Sequence, residues 1–169
     1  MILNLDTVPH FYKNYVKQVE ESDLLQALRI SGHRALELLH SIPENKADFK
    51  YAPNKWTIRE LLCHAIDAER IFAYRALRFA RNDKTNLSSF EENDYATQAN
   101  ATGRSLQKIA MEMAHLRSST IDLFEGFTPE MLIRKGLVNN NELSVVALGF
   151  IIAGHETHHC QILKERYLP

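Results

Sequence analysis

The sequence TIRELLCHAIDAERIFAYRALRFAR, from Thr57 to Arg81, has the clearest helical pattern of the chain and decides its fold class. It opens with a capping box, in which Thr57 is the N-cap and Glu60 follows three residues later. Apolar side chains then recur with the period of one helix face, at Ile58, Leu61, Ala65, Ala68, Phe72, Ala76 and Phe79. The pattern predicts a long amphipathic helix with one face in a core.

Three further segments show the same helical period, whereas no segment shows a strand pattern of useful length. Prolines are scarce and fall outside these segments, as with Pro43 after the first, and Gly126 follows the third. The helices predicted in this way are Asp23–Ser41, Thr57–Arg81, Ala101–Phe124 and Ser144–Tyr167, with a short amphipathic piece at Phe11–Val19 before them.

The segment between the second and third helices, Asn82–Asn100, is polar and aperiodic. Its nineteen residues exceed the usual connection in a compact domain, so a crossover or functional role is expected. A helix of about 24 residues is about 36 Å long, and an extended linker reaches about 3.3 Å per residue. The linker can therefore join two parallel helices, although it could instead form a lid. We expect an all-α four-helix bundle with up-down-down-up topology, in a single domain over residues 1–169.

The composition is that of an ordinary globular protein, with 45% hydrophobic and 24% charged residues. The formal net charge of −1 gives no support for a nucleic-acid-binding face, and no run of Lys and Arg indicates a local basic patch. Only two cysteines occur, Cys63 and Cys160, which favours a reducing compartment. The N-terminus lacks the pattern of a signal peptide, and the longest apolar stretch, Val145–Ala153, is too short to span a bilayer. We expect a cytoplasmic protein that binds neither nucleic acid nor membrane.

The predicted last helix carries two histidines, His155 and His159, one turn apart on one face. At 100° per residue they fall in the helix's apolar sector, with His158 to one side and Glu156 to the other. The apolar members of that sector are Val145, Leu148, Ile152, Ile162 and Leu163. Two buried imidazoles without partners would be costly, and a metal ion that accepts a lone pair from each removes that cost. The pair therefore indicates a metal site in the bundle.

Two other interpretations of this pair remain open. The segment His155–His159 matches the letters H-E-x-x-H of a zinc protease, in which Glu156 would be the general base. Such proteases contain strands and take a further ligand from downstream, whereas this chain has no strand pattern and only ten residues after His159. The remaining alternative is two core histidines that satisfy each other without a metal.

A third ligand should come from another helix, and His64 lies on the shoulder of the second helix's apolar stripe. Taken alone, its position favours a half-buried histidine that binds no metal over a metal ligand. Asp67, one turn away, is either a group that orients a histidine ligand or a solvated acid beside Arg70. Cys63 and Cys160 each adjoin a proposed ligand and point about 100° away from it, so we do not expect them to bind metal. No function is assigned to His33, His40 and His115.

Three sequence segments resemble signatures of the DinB/YfiT-like superfamily. They are Trp56–Arg70 (WTIRELLCHAIDAER) with the preceding loop from Lys50, Gly154–Ile162 (GHETHHCQI), and the acidic-aromatic Phe90–Tyr95 (FEENDY). The resemblance implies a four-helix bundle of up-down-down-up topology, often a homodimer. It also implies a divalent metal, commonly nickel or zinc, held by three histidines, which map onto His64, His155 and His159.

The resemblance further implies an enzyme that acts on small molecules. Related branches are thiol-dependent transferases and isomerases that use bacillithiol, mycothiol or glutathione. The mycothiol-dependent isomerases replace one last-helix histidine with glutamate, whereas this chain keeps both His155 and His159. We expect a low-molecular-weight thiol as cosubstrate, transferred to an electrophile. The alternatives are a hydrolase that uses metal-bound water and a non-catalytic, stress-response metal-binding bundle. No further catalytic residue is assigned from sequence.

Overall fold

The fold is a bundle of four long helices with shorter elements between them. The structure, a computed structural model, describes residues 3–168. The helices are α1 (His10–Val16), α2 (Leu24–Ser41), α3 (Ile58–Ala80), α4 (Glu92–Gln98), α5 (Leu106–Glu125), α6 (Pro129–Leu132) and α7 (Val145–Ile162), and the strands are β1 (Lys135–Val138) and β2 (Asn141–Ser144). A π-helical turn, Leu163–Tyr167, extends α7, and 3-10 turns cover Leu5–Thr7 and Glu44–Lys46.

Each long helix begins at a polar side chain that accepts a hydrogen bond from a backbone N–H three residues later. The capping box predicted at Thr57 is complete, because the Thr57 N–H also donates to Glu60 Oε2 at 2.7 Å. The four capping residues are Asp23, Thr57, Ser105 and Ser144. Local hydrogen-bonding chemistry therefore fixes where the bundle helices start.

The order of contacts shows that α3 and α5 run parallel. Near the start of both helices, Arg104 Nη1 lies 3.2 Å from Cys63 Sγ. Further along both, Arg117 Nε donates to Glu69 Oε1 at 3.0 Å. Later residues of one helix thus meet later residues of the other, as the sequence analysis expected.

The outer helices run the opposite way. Arg117, late in α5, donates to Ser31 of α2 at 2.9 Å, while the Leu106 N–H at the start of α5 donates to Glu44, just after α2, at 2.9 Å. The Tyr167 hydroxyl, beyond α7, donates to the Trp56 carbonyl before α3 at 2.8 Å. Both pairs are antiparallel, which confirms the up-down-down-up order of α2, α3, α5 and α7.

Two details differ from the sequence-based prediction. The third long helix starts at Leu106 rather than Ala101, because Gly103 adopts a φ of 80° and Ser105 then provides the cap. The chain also contains strands, since β1 and β2 pair as an antiparallel hairpin. Each strand has only four residues, too few for a convincing alternating pattern.

The long connection between α3 and α5 is more ordered than predicted. It contains α4, and Leu87 forms a bridge with Val138 of β1. Phe90 and Glu92, from the same connection, line a cavity beside α3 and α7. The connection is therefore a crossover, because it returns the chain to the start of a parallel helix. It also forms one side of the cavity.

The last long helix, α7, is the centre of the bundle. Every residue from Val145 to Glu156 is buried, whichever way it faces, as is typical of a helix that is apolar nearly all round. Neither α7 nor any other helix within residues 3–168 is long and apolar enough to cross a membrane. Instead, α7 packs against α1, α2 and α3, so its C-terminal half is enclosed by other helices.

Candidate metal centre

Three histidine side chains converge where α3 meets α7. His64 comes from the second turn of α3, and His155 and His159 lie one turn apart on α7. His155 Nε2 lies 3.2 Å from His64 Nε2 and 3.1 Å from His159 Nε2. The side chains are only 3%, 6% and 9% exposed, in chain order. The structure therefore brings together the three histidines that the sequence analysis selected, and His64 is buried more deeply than the predicted shoulder position implied.

Burial keeps all three imidazoles neutral. It lowers the pKa of His64 to about 4. Burial, followed by the effect of His64 and His158, lowers the pKa of His155 to about 3. The pKa of His159 is also well below its ordinary value, for the same main reason. Each ring thus offers a lone pair at neutral pH, which is the form that binds a metal.

Hydrogen bonds among the three rings cannot satisfy them all. The Nε2 atom of His155 has either one lone pair or one proton, so it cannot make a full hydrogen bond to both neighbours. A shared cation instead accepts a lone pair from each ring. With metal–nitrogen bonds of about 2.0–2.1 Å, two ligands of a tetrahedral ion would lie about 3.3 Å apart. The observed 3.1 and 3.2 Å separations fit that arrangement.

Aromatic rings hold the histidines in place. The Trp56 ring lies 4.8 Å from the His64 ring, centroid to centroid, while Tyr15 and Phe72 meet His155 edge-on at 5.2 and 5.9 Å. Sequence reasoning gave none of these residues a role at the site. The sequence could have placed Phe72 at the site, because it lies two turns from His64 on the apolar side of the same helix. No sequence pattern indicated that Tyr15 of α1 would approach the histidines.

A glycine makes the approach of α1 possible. A Cβ atom at Gly154 would lie 2.1 Å from the Tyr15 carbonyl oxygen and 3.2 Å from the Val16 nitrogen. These are backbone atoms that cannot turn away, so only glycine lets α1 pass this close to α7. The close crossing sets the Tyr15 ring against His155, directly after the glycine.

Other polar residues near the histidines play no part in the cluster. Asp67 forms its contact with Arg70, at 3.5 Å, and the buried Nδ1 of His64 has no partner among the described residues. Asp67 is thus a partly solvated acid and does not orient a ligand. His158 lies outside the cluster, with its Nδ1 3.3 Å from Gln18 Nε2. His33, His40 and His115, to which no function was assigned, are exposed.

The two cysteines lie outside the histidine cluster. Cys63 Sγ lies against Arg104, and burial raises the pKa of its thiol. Burial, assisted by Glu156, raises the pKa of the Cys160 thiol to about 12. Neither thiol ionises at neutral pH, and neither belongs to the histidine cluster.

The interpretation as a zinc protease is wrong for this chain. Glu156, the glutamate of the H-E-x-x-H letters, turns away from the histidines and forms an ion pair with Arg117 at 2.7 Å. Arg117 also binds Glu69 at 2.8 Å, so the arginine neutralises carboxylates deep in the bundle. A glutamate held in that pair cannot act as a general base for a metal site on another face of α7.

A cavity of about 440 Å³ opens beside the histidines. His64 and His155 form part of its wall, and Arg75 and Glu92 are its charged residues. Aromatic side chains from three parts of the chain form much of the rest, namely Phe11, Tyr12, Tyr15, Phe72 and Phe90. This volume lies in the range of pockets that hold small molecules. The histidine cluster therefore borders a space for a small molecule, which His64 and His155 reach directly.

Comparison with known proteins places the chain in a family. The solved structure of YfiT from Bacillus subtilis, described as a probable metal-dependent hydrolase with an unusual four-helix bundle topology, matches it with a TM-score of 0.75. The match covers 84% of this chain and 82% of YfiT at 13% sequence identity, which shows a shared fold. No curated protein sequence matches the chain. The sequence profile of the DinB superfamily matches residues 27–163, and the chain belongs to that superfamily.

Proposed function

We propose that this protein is a metal-dependent enzyme that acts on a small molecule, with His64, His155 and His159 as the ligands of a divalent cation. The observation that supports this most is the convergence of three buried, neutral Nε2 atoms beside an aromatic cavity, whose wall includes His64 and His155. Imidazole ligands suit zinc and nickel among other metals. Three protein ligands with an open side are typical of catalytic sites rather than structural ones.

The reaction we favour is the transfer of a low-molecular-weight thiol to an electrophile. A divalent cation would supply Lewis acidity, either keeping a thiol ionised at neutral pH or lowering the pKa of a water molecule. The thiol R–SH and the electrophile R′–X give R–S–R′. The S–C bond forms, the C–X bond breaks, and X leaves with the thiol's proton. The aromatic wall, including Phe72 and Phe90, would hold an apolar electrophile and exclude water.

Hydrolysis is the second candidate, and Glu92 is the observation in its favour. Glu92 lines the cavity that His64 and His155 also line, and its side chain is exposed. A carboxylate near the reacting centre can take a proton from water. Both candidate reactions use the same three ligands.

Metal content tests the ligand set. Protein purified without chelator, or reconstituted with zinc or nickel, should hold about one metal per chain by elemental analysis, because three ligands define one site. His64→Ala, His155→Ala and His159→Ala should each lose most of it. His158→Ala is the matched control, since it removes a histidine beside His159 that lies outside the cluster.

Full metal retention by His64→Ala, in a variant shown to be folded by circular dichroism, would refute the three-ligand site. So would wild-type protein that stays metal-free after reconstitution and is active in that state.

A thiol requirement tests the reaction class. Metal-reconstituted protein is mixed with an aryl chloride and, in turn, bacillithiol, mycothiol or glutathione, and thioether formation is followed spectroscopically. We expect product with at least one thiol, none without thiol, and none from His64→Ala, because the thiol is the nucleophile. Thiol-independent cleavage of a nitrophenyl ester that disappears in Glu92→Gln would instead establish hydrolysis.

A further inference from the structure

Arg75 is a buried arginine in the wall of the cavity beside the histidines. Its side chain is only 3% exposed, and it lies on α3, eleven residues after His64. Its Nη2 donates to the Ser88 carbonyl at 2.9 Å, and it hydrogen-bonds the Tyr12 hydroxyl. The rings of Phe72 and Phe90 flank the guanidinium at 5.8 and 5.9 Å. None of these neighbours carries a negative charge, since burial raises the pKa of Tyr12 further above neutrality.

The other buried arginines of the bundle are neutralised by carboxylates. Arg59 pairs with Asp48 and Glu44, and Arg117 pairs with Glu69 and Glu156. Arg75 forms no ion pair among the side chains that the structure describes. A buried charge without a partner is expensive, and burial lowers the pKa of Arg75 accordingly. The fold therefore leaves the buried charge of Arg75 without a counter-anion.

A counter-anion can reach Arg75 from the cavity, because Arg75 forms part of its wall. A guanidinium has five N–H donors, and the Ser88 carbonyl and Tyr12 hydroxyl leave part of the fork free. Free donors of a fork can hold a carboxylate or phosphate through two hydrogen bonds. Glu92 lines the same cavity, but its side chain is exposed, so water and salt screen its charge.

We propose that Arg75 binds an anionic group of the substrate, and that this substrate is a small molecule with a carboxylate or phosphate at one end of an apolar, aryl-like body. The assignment names the substrate class of the proposed metal enzyme, and so it rests on that proposed function. Arg75 fixes the anionic end, the aromatic walls hold the apolar body, and the histidine cluster faces the reacting portion. His64 and Arg75 line one continuous cavity, so one molecule of this kind can reach both.

The test uses metal-free protein, so that a cation cannot contribute to anion binding. Chelator-treated wild-type protein is titrated with phenylacetate, phenyl phosphate and the neutral phenylacetamide, and binding is followed by NMR. We expect at least one anion to bind about tenfold or more tightly than the amide, because charge-assisted hydrogen bonds of a guanidinium are strong. Comparison of the two anions distinguishes a carboxylate site from a phosphate site.

Arg75→Gln should abolish this preference for the anion. The matched control is Arg81→Gln, which removes an exposed arginine at the end of the same helix, outside the cavity, and should leave the preference unchanged. Equal binding of anions and amide by the wild type would overturn the proposal, and this comparison needs no variant to fold. An undiminished preference in folded Arg75→Gln would overturn it too. Because the protein is metal-free, neither outcome depends on whether the metal site itself is correct.

Discussion

Arg117 shows how much one residue controls inside this bundle. Its side chain is 5% exposed and binds Glu69 and Glu156, while Nη1 also donates to Ser31 at 2.9 Å. A Cβ atom at Gly32 would lie 2.9 Å from Nη1, so the arginine occupies a notch that the glycine leaves open. Burial lowers the pKa of Arg117, whereas Glu156 and Glu69 raise it. The combined effect of the carboxylates is the larger, so the pKa of Arg117 lies above its ordinary value. One cation thus holds two acids in the interior.

Replacing that cation should be far more damaging than breaking a surface pair. Arg117→Met leaves Glu69 and Glu156 buried without a counter-charge, which should cost about 3–5 kcal/mol of the free energy of unfolding. Arg29→Met is the control, because Arg29 and Glu125 form an exposed pair that contributes about 0–1 kcal/mol. Urea denaturation of the three proteins measures the difference. Similar losses from both substitutions would contradict the role assigned to Arg117.

At the scale of elements, the crossing of α1 over α7 decides the shape of the site. The helix α1 has only seven residues and lies at the edge of the bundle, yet Tyr12 and Tyr15 from it form part of the cavity wall. Its position depends on the missing side chain at Gly154. An element with so little buried surface of its own stays in place because of this close fit.

Gly154→Ala should therefore push α1 away from the site. The added methyl would meet the Tyr15 carbonyl, and a clash of this kind typically costs about 1–3 kcal/mol. We expect a lower melting temperature and faster proteolytic cleavage between residues 17 and 23, just after α1. Gly126→Ala is the control, because its new Cβ would make ordinary contact, 3.5 Å from the Leu123 carbonyl. Equal cleavage rates in both variants would show that α1 does not depend on Gly154.

Sequence patterns predicted the helices better than they predicted the hairpin. Caps such as Thr57 and the apolar stripe of α3 are local signals, and the structure confirms them. The hairpin also had a local signal that was not used. Asn139 and Asn140 form its turn with φ of 46° and 63°, and a pair of asparagines suits the positive φ that two-residue hairpin loops require.

The site was less predictable, because most of it depends on contacts between distant segments. The i, i+4 spacing of His155 and His159 predicted that they lie side by side. Their position in the apolar sector of the helix did not distinguish them, because Glu156 on another face of α7 is just as buried. The family resemblance, rather than any pattern, singled out His64. Arg75 gave no signal, because its lack of a carboxylate partner is a property of the folded chain.

For the molecule as a whole, the parallel pair of α3 and α5 explains the long connection. Parallel neighbours require a segment that runs back the length of a helix, and here that segment also carries Phe90 and Glu92 to the cavity. The same topology puts the charged network of Arg117 between α2, α3, α5 and α7. The same connection that makes α3 and α5 parallel thus also supplies residues to the cavity wall.

The central position of α7 has a consequence for how the protein is made. Of the helices described, α7 is the last to leave the ribosome, although α1, α2 and α3 all pack against it. Chains are synthesised at about 5–20 residues per second, and they fold as their partners become available. The faces of α1, α2 and α3 that pack against α7 must therefore stay uncovered until Val145–Ile162 has emerged. His155 and His159 arrive in that same final step, so a nascent chain completes its core and forms its histidine cluster together.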